Sequence, residues 1–133
     1  MNSHPPLRSS CPPGTCTCRR DELLETPGAD TRILLLTRHE EKRLLERLAN
    51  VQSLEELERL QQRMFGQLGI DMRIAPGRNE VRSMRGIAID FAEQPGLCRK
   101  TRPAIAAAIR RALEQRPEIA WRLLDAHDLL GGA

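Results

Sequence analysis

Apolar residues recur at two different periods along this chain, and the changes of period divide it. Up to residue 18 there is no period at all. Pro5, Pro6, Pro12 and Pro13 interrupt the backbone, and no helix can run through them. "RRDELLE" (19–25) has room for a turn or two of helix before "TPGAD" (26–30) stops it. "TRILLLT" (31–37) is a short apolar run whose period does not separate a buried strand from the lead-in to a helix.

From Thr37 the period is helical. Thr37 and Glu40 have the spacing of a capping box, and Leu44, Leu45, Leu48 and Val51 follow at steps of three and four. Ser53 with Glu56 repeats the device, so a helix over about 37–50 gives way to one over about 53–68. The second stripe is Leu54, Leu57, Leu60, Met64 and Leu68, and Gly69 stands where a left-handed cap ends it. Two helices joined by so short a turn form a helical hairpin.

The period then becomes two. Ile70, Met72 and Ile74 alternate with Asp71, Arg73 and Ala75; after the turn residues "PGRN", Ile87, Ile89 and Phe91 alternate with Gly86, Ala88 and Asp90. The pattern predicts a β-hairpin with strands over about 70–75 and 84–91. "EQPG" (93–96) ends it, and Thr101 with Pro103 opens an Ala-rich helix over about 102–115. Pro117 starts a last helix, over about 117–130, that stops at Gly131-Gly132. The expected fold class is α+β: a helical hairpin, a β-hairpin and a second helix pair. It forms one domain, 19–133, behind a Cys/Pro-rich leader, 1–18. Two strands alone are marginal in water. They must be covered by helices, joined by residues 32–36 as a third strand, or paired across a dimer.

Composition narrows the function classes. The chain has 133 residues, 40% of them hydrophobic and 29% charged, which suits a packed domain and excludes wholesale disorder. The longest apolar run, "ILLL", is far too short to span a membrane. "MNSHPPLRSS" has no apolar stretch of a secretory signal, so the expected setting is a reducing cytoplasm, where disulfide frameworks are rare.

Charge is unevenly spread. Residues 1–71 are nearly balanced, whereas residues 72–122 hold eleven basic against five acidic side chains. Only Lys42 and Lys100 are lysine, and arginine suits bidentate contacts to phosphate or carboxylate. Arg73, Arg78, Arg82, Arg85, Arg99, Lys100 and Arg102 are therefore candidate contacts to a nucleic-acid backbone. Against this, the only aromatics are Phe65, Phe91 and Trp121. The first two fall at expected core positions, so no stacking platform is apparent.

Three of the four cysteines, Cys11, Cys16 and Cys18, lie within eight positions. Their C-x4-C-x-C spacing fits one soft or borderline cation, zinc first, with Cys98 beside Gly96 as fourth ligand and His4 or His39 as substitutes. It is not the paired C-x2-C spacing of zinc fingers. Without a metal, the segment is a loose leader of reduced thiols. Enzyme signatures are absent: no H-E-x-x-H, G-x-S-x-G, P-loop or dinucleotide fingerprint occurs. Asp125, His127 and Asp128 sit on a helix where His127 falls near the apolar stripe. The arc Leu57, Leu60, Met64 and Phe65 is wider than one packed neighbour needs, which suggests a core face plus an interaction face. The sequence thus predicts a small non-enzymatic accessory protein that binds a protein partner or a second copy of itself. Phosphate-backbone binding is the alternative.

Overall fold

The computed structural model describes residues 18–76 and 86–131, with side chains described to residue 126. Cys11, Cys16, His4, Arg78, Arg82, Arg85 and the side chain of His127 lie outside that description. The elements run α1 (Arg20–Glu25), a 3-10 helix (Arg32–Leu35), α2 (Arg38–Ala49), α3 (Leu54–Leu68), β1 (Met72–Pro76), β2 (Ile87–Phe91), α4 (Thr101–Gln115) and α5 (Pro117–Gly131). The fold is α+β, as the alternation of periods implies.

Side-chain caps start the two helices of the helical hairpin. The Thr37 hydroxyl accepts from the Glu40 amide at 3.3 Å, and Ser53 accepts from the Glu56 amide at 3.2 Å. The reciprocal half of the first box is not made. The Thr37 amide donates to the Leu35 carbonyl at 2.9 Å, and the Glu40 carboxylate faces Arg43 at 3.6 Å. Three devices close α3. Gly69 adopts φ 74°, the Gln94 amide nitrogen donates to the Leu68 carbonyl, and Arg32 donates to the carbonyls of Phe65 and Gly66. A guanidinium on the last carbonyls of a helix also complements its dipole.

Residues 32–36 are not a third strand. The Leu34 amide donates to Thr31 and the Leu36 amide to Ile33, both at 3.0 Å, which winds the segment into a 3-10 turn. That winding lets Ile33, Leu34 and Leu36 all face the core, whereas a strand would turn alternate residues to opposite faces. Asp30 fixes the start, its carboxylate accepting from the Arg32 amide at 3.1 Å and from the Arg32 guanidinium.

Among the described residues the sheet therefore has two strands, β1 and β2, antiparallel with Met72 opposite Phe91 and Ile74 opposite Ile89. Helices cover it, and two side chains tie them to its edges. Gln61 of α3 donates to the Met72 carbonyl at 2.6 Å, and Arg110 of α4 donates to the Ile87 carbonyl at 3.1 Å. Met72, Ile74 and Ile87 face the core. α4 supplies its broadest helical surface, with Ile105, Ala108, Ile109, Ala112 and Leu113 buried. Its first residue is Thr101, buried, with an amide that donates to the Cys98 carbonyl; Lys100 caps it without a side-chain bond.

The arms of the helical hairpin lean on different partners. α2 packs chiefly on α4, and α3 packs on the 3-10 helix and α5. Only Leu48 of α2 is fully buried. The other apolar residues of α2, Leu44, Leu45 and Ala49, remain half-buried.

Candidate binding cleft between α2 and α3

Because the two helices are drawn to different neighbours, a cleft of about 440 Å³ opens between them. That volume lies within the range of ligand pockets. Its apolar lining comes from Leu35 at the end of the 3-10 helix and Leu36 just after it, Leu44 of α2, and Leu60, Met64 and Leu68 of α3. Around these stand His39, Glu40, Arg43, Arg47, Arg63 and Gln67. Among the described residues of the lining Glu40 is the one acidic side chain, and it faces Arg43. Arg47 and Arg63 are exposed, and no ion pair or hydrogen bond holds either guanidinium among the described residues. The result is an apolar trough edged by cations.

Sequence reading passed over this cleft, although one signal was present. Arg43 and Arg47 are four residues apart on one helix face, a like-charge pair that costs a few tenths of a kcal/mol. No carboxylate stands three or four residues from Arg47 to offset the second charge.

The expected interaction face needs correction. Leu57, Leu60 and Met64 are buried in the core of the single chain, at 1%, 4% and 2% exposure, so they present no continuous free surface. Leu60 and Met64 reach the cleft only as parts of its floor. Phe65, expected both at a core position and on the interaction face, is 55% exposed and so outside the core. It lies on the flank of the stripe, where the Arg32 guanidinium carbon sits 6.0 Å from its ring centroid. The same guanidinium forks onto Asp30, and this bonding holds the Asp30 carboxyl below its ordinary value and Arg32 above its own. Trp121 on α5 is also exposed, at 61%.

The basic candidates divide. Arg73 is exposed on β1, Arg99 and Lys100 are exposed before α4, and Arg102 is half-buried within its first turn. These four lie on two separate elements, and Arg78, Arg82 and Arg85 fall outside the described residues. Arg110 is engaged with the Ile87 carbonyl.

Of the metal candidates, Cys18 is buried and Cys98 half-buried. The Gly96 amide donates to the Cys18 carbonyl, which brings the two cysteine-bearing segments side by side. Among the described residues no three His, Cys, Asp or Glu side chains converge as a metal cluster. No described helix is long and apolar enough to cross a membrane. No protein-family model matches the chain, and no curated protein or solved structure is significantly similar to it.

Proposed function

We propose that the protein is a non-enzymatic interaction module whose α2–α3 cleft receives an apolar, acidic segment of a partner protein. The observation that carries this reading is the pairing of an apolar floor with two guanidiniums, Arg47 and Arg63, that have no carboxylate partner among the described residues. An apolar floor gains free energy by leaving water, about 25 cal/mol per Å². The cations set what enters with it. A segment with Asp or Glu beside its apolar anchors would complete both, and a basic segment would be repelled. The trough lies between two helices, which is the setting in which amphipathic segments dock through residues at helical spacing.

Peptide-display selection against the immobilised full chain tests this. Enriched peptides should carry apolar residues at helical spacing with flanking carboxylates. Their affinity should fall at least tenfold in the double variant Arg47→Glu, Arg63→Glu, with unchanged circular dichroism. Arg59→Glu, on the exposed part of α3 outside the cleft, should bind as the native chain does. Selection of basic peptides, or of peptides that bind the double variant equally well, would overturn the reading. So would a protein that only self-associates, or one held by heparin through the arginines of residues 72–122.

A further inference from the structure

We infer that the outer face of α5 in one chain docks into the α2–α3 cleft of a second copy. This contact rests on the cleft proposed for the partner segment and names a second occupant for it. Trp121 is the most exposed large apolar side chain among the described residues, at 61%. Glu118 stands three residues before it on α5, and Leu124 and Asp125 stand three and four after, so all four share one side of the helix. Glu118 and Asp125 are exposed, and no ion pair or hydrogen bond holds either carboxylate among the described residues. Arg122, the one cation in residues 117–126, is already held by Glu55.

The α5 face thus carries the chemistry that the cleft lacks. The cleft offers an apolar floor with Arg47 on one wall and Arg63 on the other. α5 offers an apolar anchor with one carboxylate before it and one after, so opposite charges meet on docking. An aromatic anchor removes about 150–250 Å² from water when buried, and an indole face also attracts a guanidinium beside it. The cleft must be that of another chain. Ile119, Ala120 and Leu123 lock the inner face of α5 into its own core, and no α5 residue lines the cleft among the described residues. Two different surfaces meet, so the contact is heterologous: it closes as a pair only where each chain serves the other, and otherwise extends. One anchor and two ion pairs fall short of the roughly 1,200–2,000 Å² of a stable interface. The expected dissociation constant is therefore weak, about 0.1 mM, and a partner segment of the same chemistry should displace the second copy.

Sedimentation velocity of the full chain, from about 5 μM to about 1 mM, tests this. The mass should rise with concentration, and a peptide selected for the cleft should return it to that of one chain. Trp121→Ser, at an exposed position, should weaken the association at least tenfold, as should Arg47→Glu with Arg63→Glu, both with unchanged circular dichroism. The two variants mixed should associate again, because one keeps the cleft and the other keeps the α5 face. Trp121 is the chain's one tryptophan and there is no tyrosine, so in that mixture the fluorescence comes from the cleft variant alone. Its emission should move to shorter wavelength as the serine variant is added. Association that survives Trp121→Ser, or a mixture that stays monomeric where the native chain associates, would overturn the contact. Peptide capture by a native chain that stays monomeric at about 1 mM would overturn it and leave the cleft reading standing. Association through Trp121 with no peptide captured would uphold it and overturn the partner reading. A chain that does neither overturns both.

Discussion

The 3-10 helix Arg32–Leu35 meets the rest of the molecule in opposite ways on its two sides. On one side Ile33, wholly buried, presses on the Gly96 loop so closely that a Cβ on Gly96 would stand 2.6 Å from the Ile33 Cγ2 and 2.9 Å from the Leu23 Cδ2. On the other side Leu35, half-buried, and Leu36 look into the α2–α3 cleft, where about 440 Å³ is left open. The closed side specifies volume to within a methyl group. The open side specifies only character: apolar in the middle, cationic at the rim. Substitutions on the first should therefore be read in stability, and those on the second in binding.

Replacing Gly96 breaks the closed side most severely. Gly96 has φ 89°, a conformation that a β-branched residue strongly resists, and the new side chain must also displace Ile33. Gly96→Val should cost about 4 kcal/mol. Gly28 has a similar φ of 74°, but nothing lies within 4 Å of its would-be Cβ, so Gly28→Val bears the backbone strain alone. Its cost should be about 2 kcal/mol. Urea unfolding midpoints at constant m-value measure both. Equal losses would mean that the contact with Ile33 contributes nothing.

A smaller difference should separate two leucines one turn apart on α2. Leu48 is fully buried and Leu44 half-buried in the cleft wall. Leu48→Ala should cost about 3 kcal/mol, from lost burial plus a cavity. Leu44→Ala opens no enclosed cavity and should cost about 1 kcal/mol or less. It should weaken peptide capture, however, where Leu48→Ala leaves capture intact for as long as the chain stays folded. If Leu44→Ala proves as costly as Leu48→Ala, the cleft is in fact closed core.

The closed side was more legible in the sequence than the open one, for a physical reason. Thr37, Ser53 and Gly69 each act on backbone groups within a few residues, so their roles could be read locally, and all three stand as helix-end devices. The alternation of Ile70, Met72 and Ile74 likewise gave the buried face of β1. The run Ile33–Leu36 could not be assigned by period, because what decides it is Asp30 at one end and the burial of three of its four residues. Phe65 was misplaced because a helical stripe has no sharp edge, and tertiary neighbours determine which flank is covered. The cleft itself exists because α2 is held by α4, and α3 by the 3-10 helix and α5, contacts between elements well separated in sequence. No local pattern encodes such a vacancy. The adjacency of Cys18 and the Cys98 loop stands between these cases. The loop position beside Gly96 singles out Cys98, but only the bond from Gly96 to Cys18 shows the two segments side by side.

The smallest expected effect concerns what holds α3 in place from outside. Glu55, in the first turn of α3, receives the Arg122 guanidinium of α5 in a forked contact, one arm at 2.8 Å. Those bonds, ahead of the helix's own amide and the Ser53 hydroxyl, pull the Glu55 carboxyl from 4.5 down to about 2. A depressed carboxylate contributes stability above its unfolded value and loses it as pH falls through the folded one. The gap in urea midpoint between the native chain and Glu55→Gln should therefore be widest at neutral pH. It should narrow as pH drops from about 4.5 and vanish near 2. Both partners are exposed, so the gap should be small throughout and shrink further in high salt. Arg122→Gln should reproduce the same profile, since the pair acts as one unit. A gap that stays constant with pH would place the contribution of Glu55 in its packing rather than its charge. The distinction bears on the cleft, because α3 forms one wall of it. If a screened surface pair were all that tied that wall to α5, peptide capture would fall with Glu55→Gln. With Leu54, Leu57 and Leu60 buried on the same helix, capture should instead remain as in the native chain.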